Sequence, residues 1–189
     1  MALTAIGLCG RALLKIGAAA IGGFDDGTAE AEVAGALYAP TRDALISAHD
    51  WSFATTQASL PRLLEPPVAD YACAFQLPAN FLRALSAGPS GAGRGLDYRL
   101  SGRTLQTDAE QVVLTYIYRP PEEDFPPFFD QVLIARLAAE FCLPLTESGS
   151  RAEALYKLAE NEFRRARLID GQQDMRPGFE DFSLISARS

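Results

Sequence analysis

The sequence predicts an α+β protein: a bundle of about four helices contributed by both chain ends, a small antiparallel β insertion between them, and an extended C-terminal arm. Three observations carry this expectation. Apolar residues recur at helical spacing up to residue 49 and again beyond residue 125. The stretch between breaks into short β-rich runs punctuated by prolines. A last segment rich in large apolar residues follows an Asp-Gly stop and lacks a helical period. The predicted organisation is a bundle built from 1–52 and 125–171, a β-rich insertion over 53–124, and an arm over 172–189.

Taken in order, Ile6, Cys9, Leu13 and Ile16, widened by Leu14, make the first helix amphipathic. Gly17, Gly22, Gly23 and Gly27 interrupt the pattern, and Asp25-Asp26-Gly27 is turn chemistry. Thr28 is placed to cap a helix over 28–49, with Glu30 and Glu32 in the first turn where the helix dipole favours them. Pro40 in its middle removes a ladder donor and predicts a kink or short break. Segments 52–60, 71–77 and 82–86 are strand candidates. Segments 96–100 and 103–107 flank Ser101-Gly102 as a hairpin. The strongest strand is 111–119, with Val112, Val113, Leu114, Tyr116, Ile117 and Tyr118. Pro126-Pro127 opens a third helix that is apolar almost all round, and therefore central; Pro144 ends it. Ser150-Arg151-Ala152-Glu153 has the form of a capping box for a last helix that closes at Asp170-Gly171. Along it Leu155, Leu158, Ala159, Glu162, Phe163, Ala166 and Ile169 hold inward and flanking positions.

The 189 residues suffice for a full core without disulfides or metal. With 48% hydrophobic and 22% charged residues, wholesale disorder and fibrous repeats are excluded. A net charge of −7 opposes general binding to nucleic acid, though not a channel through which DNA slides. Cys9, Cys73 and Cys142 lie far apart and fit reduced thiols in a cytosolic setting. Met1-Ala2-Leu3-Thr4 lacks a charged region ahead of an apolar run, so no signal peptide is expected. No run approaches the roughly 18 apolar residues of a membrane span.

Chemical candidates are few. His49 lies between Asp50, Ser52 and the end of a helix; adjacency alone cannot build a triad, and a helix C-terminal histidine favoured by the dipole explains it. Cys142 reads as a buried structural thiol. One histidine and no paired cysteines make no zinc site, so no metal, cofactor or catalytic residue is expected. The loop from Gly88 to Gly95 lacks the lysine and following helix of a phosphate-binding loop, and reads as a flexible loop tip. Glu122-Glu123-Asp124 reads as a solvated acidic turn. Arg164, Arg165 and Arg167 compensate a helix C-terminus as readily as they would contact phosphate. The arm is the remaining candidate. Phe179, Phe182, Leu184 and Ile185, beside Pro177-Gly178 and the acids Glu180 and Asp181, need a surface, either the protein's own core or a partner.

Several segments carry a resemblance. Leu8-Cys9-Gly10-Arg11-Ala12-Leu13-Leu14-Lys15-Ile16-Gly17-Ala18, Phe24-Asp25-Asp26, and the run from Leu37-Tyr38-Ala39-Pro40 through His49-Asp50-Trp51-Ser52-Phe53-Ala54 resemble the opening of bacteriophage tail tubular protein A. Tyr71-Ala72-Cys73-Ala74-Phe75-Gln76-Leu77-Pro78 is similar to that family's tyrosine-rich strand. Leu137-Ala138-Ala139-Glu140 with Pro144-Leu145-Thr146 is similar to its third helix and following turn. The likeness spans about 3–170, and every piece of it is a packing motif.

The resemblance implies a non-enzymatic head-to-tail connector adaptor in the virion neck, assembled in the host cytoplasm. Such adaptors form a ring of roughly twelve copies under the portal, with heterologous, closed interfaces. The ring extends the DNA channel, through which double-stranded DNA passes transiently, and offers a platform to the next tail or neck protein; no membrane is involved. The acidic charge agrees, since a negatively lined channel does not hold its DNA. The family's C-terminal segment reaches the portal, which makes Pro177, Phe179, Phe182, Leu184 and Ile185 the expected portal-binding residues. Other readings are a different neck layer such as a stopper, a cytosolic interaction module with no viral role, or a small enzyme whose site gathers His49, an acid and a nucleophile.

Overall fold

The computed structural model of the protein describes residues 3–173. Helices α1 (Ala5–Lys15) and α2 (Ala29–Ser47) precede six strands, β1 (Thr55–Ser59), β2 (Cys73–Gln76), β3 (Phe81–Gly88), β4 (Arg99–Ser101), β5 (Thr104–Thr107) and β6 (Val113–Tyr118); α3 (Pro127–Thr146) and α4 (Gly149–Asp170) follow. The protein is therefore mixed α+β, with helices at both ends and antiparallel strands between. The expected arm lies outside the described residues.

The four helices share one core. Leu8, Leu13, Ile46, Phe129, Leu133, Leu137, Phe141, Ala152 and Ala166 belong to a single buried cluster, so the two distant helical pairs cover each other. α3 is the central helix and buries ten residues around most of its circumference. α4 lies on it through Ala152, Ala159 and Ala166, whose heptad spacing and small size permit close approach. Leu45 is only partly buried. Leu158 corrects its expected inward place: it is 40% exposed, because the alanine stripe takes the inner face.

The strands form two three-stranded antiparallel sheets where one was expected, ordered β1-β6-β3 and β2-β5-β4. β6 takes partners on both edges and leaves β2 to pair with the β4–β5 hairpin. The hairpin loop is Gly102-Arg103, one residue beyond the expected turn, and Gly102 supplies the positive φ of 57° that it requires. The two sheets share a core of Phe75, Leu77, Leu105, Leu114 and Tyr116. Ile117, on the opposite face of β6 from Leu114 and Tyr116, belongs to the helical cluster and joins the two cores.

Four local expectations are corrected. Pro40 lies inside an uninterrupted α2, and Pro144 inside α3, which runs on to Thr146. There the Thr146 hydroxyl donates to the Cys142 carbonyl at 2.6 Å, and Glu147 closes the helix in the left-handed region with its N–H on Leu143. The capping box does not form: α4 begins at Gly149 after Ser148, which leaves Ser150 inside the helix where its hydroxyl cannot cap. The glycine loop is not a free tip. It folds onto the sheet, with the Gly93 carbonyl accepting from Ser86 Oγ at 2.6 Å and Thr115 Oγ1 at 3.2 Å. A Cβ on Gly88 would collide with the backbone of Ala92 and Arg94, so the fold-back requires glycine there.

Candidate functional site

The portal-binding residues expected from sequence, Pro177, Phe179, Phe182, Leu184 and Ile185, lie outside the described residues. Within them, an open cleft of about 880 Å³ lies where the end of α4 meets the α2–β1 connection. Its size is within the range of small-ligand pockets. Gln173, the last described residue, is part of its wall.

Asp170 anchors the cleft. It continues the inward stripe of α4, four residues after Ala166, and is 3% exposed. A carboxylate in the last turn faces the negative end of the helix dipole, so it needs donors. Ser52 supplies them: its backbone N–H reaches both carboxylate oxygens at 3.1 Å, and its hydroxyl donates to Oδ1 at 2.6 Å. The contact clasps the end of α4 to the start of a short 3-10 turn, Ser52–Ala54, that leads into β1. In the sequence Asp170 reads only as a helix stop; the helical stripe, extended one turn past Ala166, is the signal that it points inward.

His49 adjoins the clasp, with Nε2 3.7 Å from Asp170 Oδ2 and its ring edge-on to Trp51 at a centroid distance of 4.8 Å. Burial, and then the Arg167 guanidinium, hold its pKa below the ordinary histidine value, against the opposing pull of Asp170 and Asp50. This corrects the expectation of a dipole-favoured cation: the imidazole follows α2 but is held toward its neutral form. Trp51 is fully buried among Phe53, Phe128, Phe129 and Phe163, and its Nε1–H donates to the Leu45 carbonyl at 3.0 Å.

The fold thus gathers a serine, a histidine and an aspartate, but not in the order of a nucleophilic relay. In such a relay imidazole stands between hydroxyl and carboxylate. Here the carboxylate stands between, and the Ser52 hydroxyl is spent on Asp170. The lining joins positive groups to apolar ones. Arg164 and Arg167 line the cleft beside the apolar side chains of Leu85 and Leu168, and Arg167 also stacks over Phe163 at 5.9 Å. Arg165 is not part of the lining and pairs with Glu162 at 3.4 Å. The basic run therefore divides between cleft and outer surface.

A second polar cluster ties α2 to the segment before α3. Glu122 accepts from the Tyr38 hydroxyl and from Arg42 Nη1, each at 3.0 Å, and Asp43 accepts from Arg42 Nε at 2.9 Å and Arg119 Nε at 3.0 Å. Glu122 is consequently not the solvated acid expected from Glu122-Glu123-Asp124; its side chain is 27% exposed. Burial alone would raise the pKa values of both carboxylates, but the donors and guanidiniums around them prevail and lower them. Among the described residues no group of three His, Cys, Asp or Glu side chains is placed to hold a metal ion. No helix there is long and apolar enough to cross a membrane. No protein-family model matches the chain, and no curated protein matches it.

Proposed function

We propose that the protein is a head-to-tail adaptor of a tailed phage or phage-like particle: a structural, non-enzymatic subunit that forms a ring under the portal, extends the DNA channel and carries the next tail or neck protein. The observation that carries this reading is where the family-like residues fall. Leu8, Cys9, Leu13 and Ile16, Trp51 and Ala54, Cys73, Phe75 and Leu77, and Leu137 and Ala138 are all buried and together populate both cores. The resembling segments are therefore those that specify the packing. Uncovered apolar side chains supply surface for neighbouring copies: Leu158, Leu168 and Ile169 on α4 are 40%, 70% and 44% exposed, with Leu14 on α1 and Leu143 on α3 at 63% and 55%. The segment 174–189 serves as the portal-binding arm, through Pro177, Phe179, Phe182, Leu184 and Ile185.

Electron microscopy of the protein mixed with its portal tests the reading, with mass photometry of the protein alone beside it. A ring seated under the portal is expected. A monomer with no affinity for the portal would refute the adaptor role and favour a cytosolic interaction module.

A further inference from the structure

We propose that the acidic, aromatic loop 24–27 ahead of α2 docks into the α4 cleft of a second copy of this chain, with Asp25 against Arg164 and Arg167 and Phe24 against Leu168. Charge complementarity is the first reason. Between Ile16 and Thr41 the sequence holds four acids, Asp25, Asp26, Glu30 and Glu32, and no lysine or arginine. Asp25 is exposed, and neither it nor Glu30 is in an ion pair among the described residues. The cleft presents the opposite sign. Arg164 and Arg167 also lack an ion pair there: Arg164 donates to the Asn161 amide oxygen at 2.6 Å, and Arg167 lies over the Phe163 ring. The carboxylates in the lining are occupied, Asp170 by Ser52 and Asp50 by Arg83. The two guanidiniums are thus left for an incoming carboxylate.

Apolar surface matches as well. Phe24 is 38% exposed directly beside Asp25, and Leu168 is 70% exposed one residue from Arg167. Leu85 continues the non-polar part of the lining. Each surface therefore sets an uncovered apolar side chain next to its charges, the mixture that anchors a specific contact. The loop is also pre-shaped, which lowers the cost of ordering it on docking. The Asp26 carboxylate accepts from the Gly22 and Gly23 N–H groups at 2.7 and 3.0 Å, Ile21 is buried in the helical core, and the Phe24 ring leans on Tyr38 at a centroid distance of 6.0 Å.

Geometry makes the occupant a second copy. The loop precedes α2, whereas His49 and Asp50 at the far end of α2 line the cleft. The 19 residues of α2 hold the two surfaces about 28 Å apart, and the loop's own contacts tie it to its end of the helix. It therefore cannot enter the cleft of its own chain. A loop at one pole and a cleft at the other make a heterologous contact, in which every copy uses both surfaces and the series closes into a ring or runs on as a filament. The docking deepens the adaptor reading and rests on it only for closure into a ring; the contact itself belongs to the isolated protein and is tested without a portal.

Sedimentation velocity of the full-length protein over a concentration series tests it. Self-association is expected, and should weaken as salt rises because the contact is partly ionic. The reversals R164E/R167E and D25R/E30R should each weaken it about tenfold or more. Mixing the two variants should restore it, since each then offers the other a complementary loop and cleft. Cross-linking gives a readout that does not depend on how the reversals fold. The native cysteines are buried, so a short bis-maleimide should join D25C to L168C in a mixture and give no dimer from either variant alone. A chain that stays monomeric at every concentration would overturn the proposal and leave the adaptor reading to the portal experiment. Self-association that both reversals leave unchanged, or a D25C and L168C mixture that does not cross-link, would overturn the contact while leaving a ring built through other surfaces. Dimers from D25C alone would likewise refute it, by placing two loops face to face.

Discussion

Replacing Asp170 with alanine should loosen the clasp between the two ends of the helical bundle, and its size can be worked from the contacts. Asp170 receives one N–H and one O–H from Ser52. Hydrogen bonds to a charged group contribute about 1.5–3 kcal/mol each. Ser52 is itself exposed, so water replaces much of what its donors lose, and roughly half of the sum remains, about 2 kcal/mol. Removing a carboxylate from the negative end of α4 returns about 0.5 kcal/mol. The net cost is about 1.5–2 kcal/mol, or roughly 3–8 °C in Tm at this chain length. S52A keeps the backbone bond and should cost about 1 kcal/mol, and the double variant should be no less stable than D170A alone. Urea titration followed by fluorescence reads all three, because Trp51 is the only tryptophan, is fully buried and lies one residue from the clasp. If D170A leaves the midpoint unchanged or raises it, dipole repulsion outweighs the hydrogen bonds and the clasp is not a stabilising contact. Additive single effects would equally refute the coupling.

Further outcomes follow from the same structure. L137A should destabilise the protein by about 2–5 kcal/mol in urea titration, since Leu137 is fully buried on the central helix. His49 has a lowered pKa in the folded state, so the unfolded chain takes up the proton first; stability should fall as pH drops below the ordinary value near 6.5, and H49Q should flatten that limb. Asp43 and Glu122, with folded pKa values below 3.8 and 4.5, contribute stability that is present above those values and lost as pH falls through the folded ones; E122Q should reduce the acid-limb slope in thermal melts. All three cysteines are buried, and burial pushes the Cys9 thiol up to about 12, so a thiol reagent at pH 8 should label none of them until denaturant is added.

Much of the fold was legible because its signals are local and redundant. The stripe of Ile6, Cys9, Leu13 and Ile16, the Thr28 cap and the β-branched run around Val113 each form the element they predict; Thr28 Oγ1 accepts from Ala31 N at 3.2 Å. The expectations that needed correcting depended on what a segment packs against. Pro144 costs one hydrogen bond in a helix held by ten buried side chains, and the tertiary contacts override it. Glu122 looks solvated beside Glu123 and Asp124, and only the arrival of Tyr38 and Arg42, 84 and 80 residues away in sequence, gives it partners. The candidate site was the least legible part. Its anchor, Asp170, takes its donors from Ser52 at a separation of 118 residues, a pairing for which no local pattern exists. Arg164 and Arg167 were visible as a basic run, but which of the three arginines faces the cleft is set by how the alanine stripe orients α4.

Splitting one core between the two ends of the chain has a consequence for synthesis. α2 ends at Ser47 and α3 starts at Pro127, so roughly 80 residues separate the first two helices from the helix that covers them. At about 5–20 residues per second, a ribosome needs about 4–16 s to make that stretch. Through this interval Leu13 and Ile46 have no partner from α3, and helices this short are marginal on their own. The nascent chain therefore presents an uncovered apolar surface while the whole strand region is being made. Its yield should therefore respond to holdase chaperones and to codon speed across 55–118.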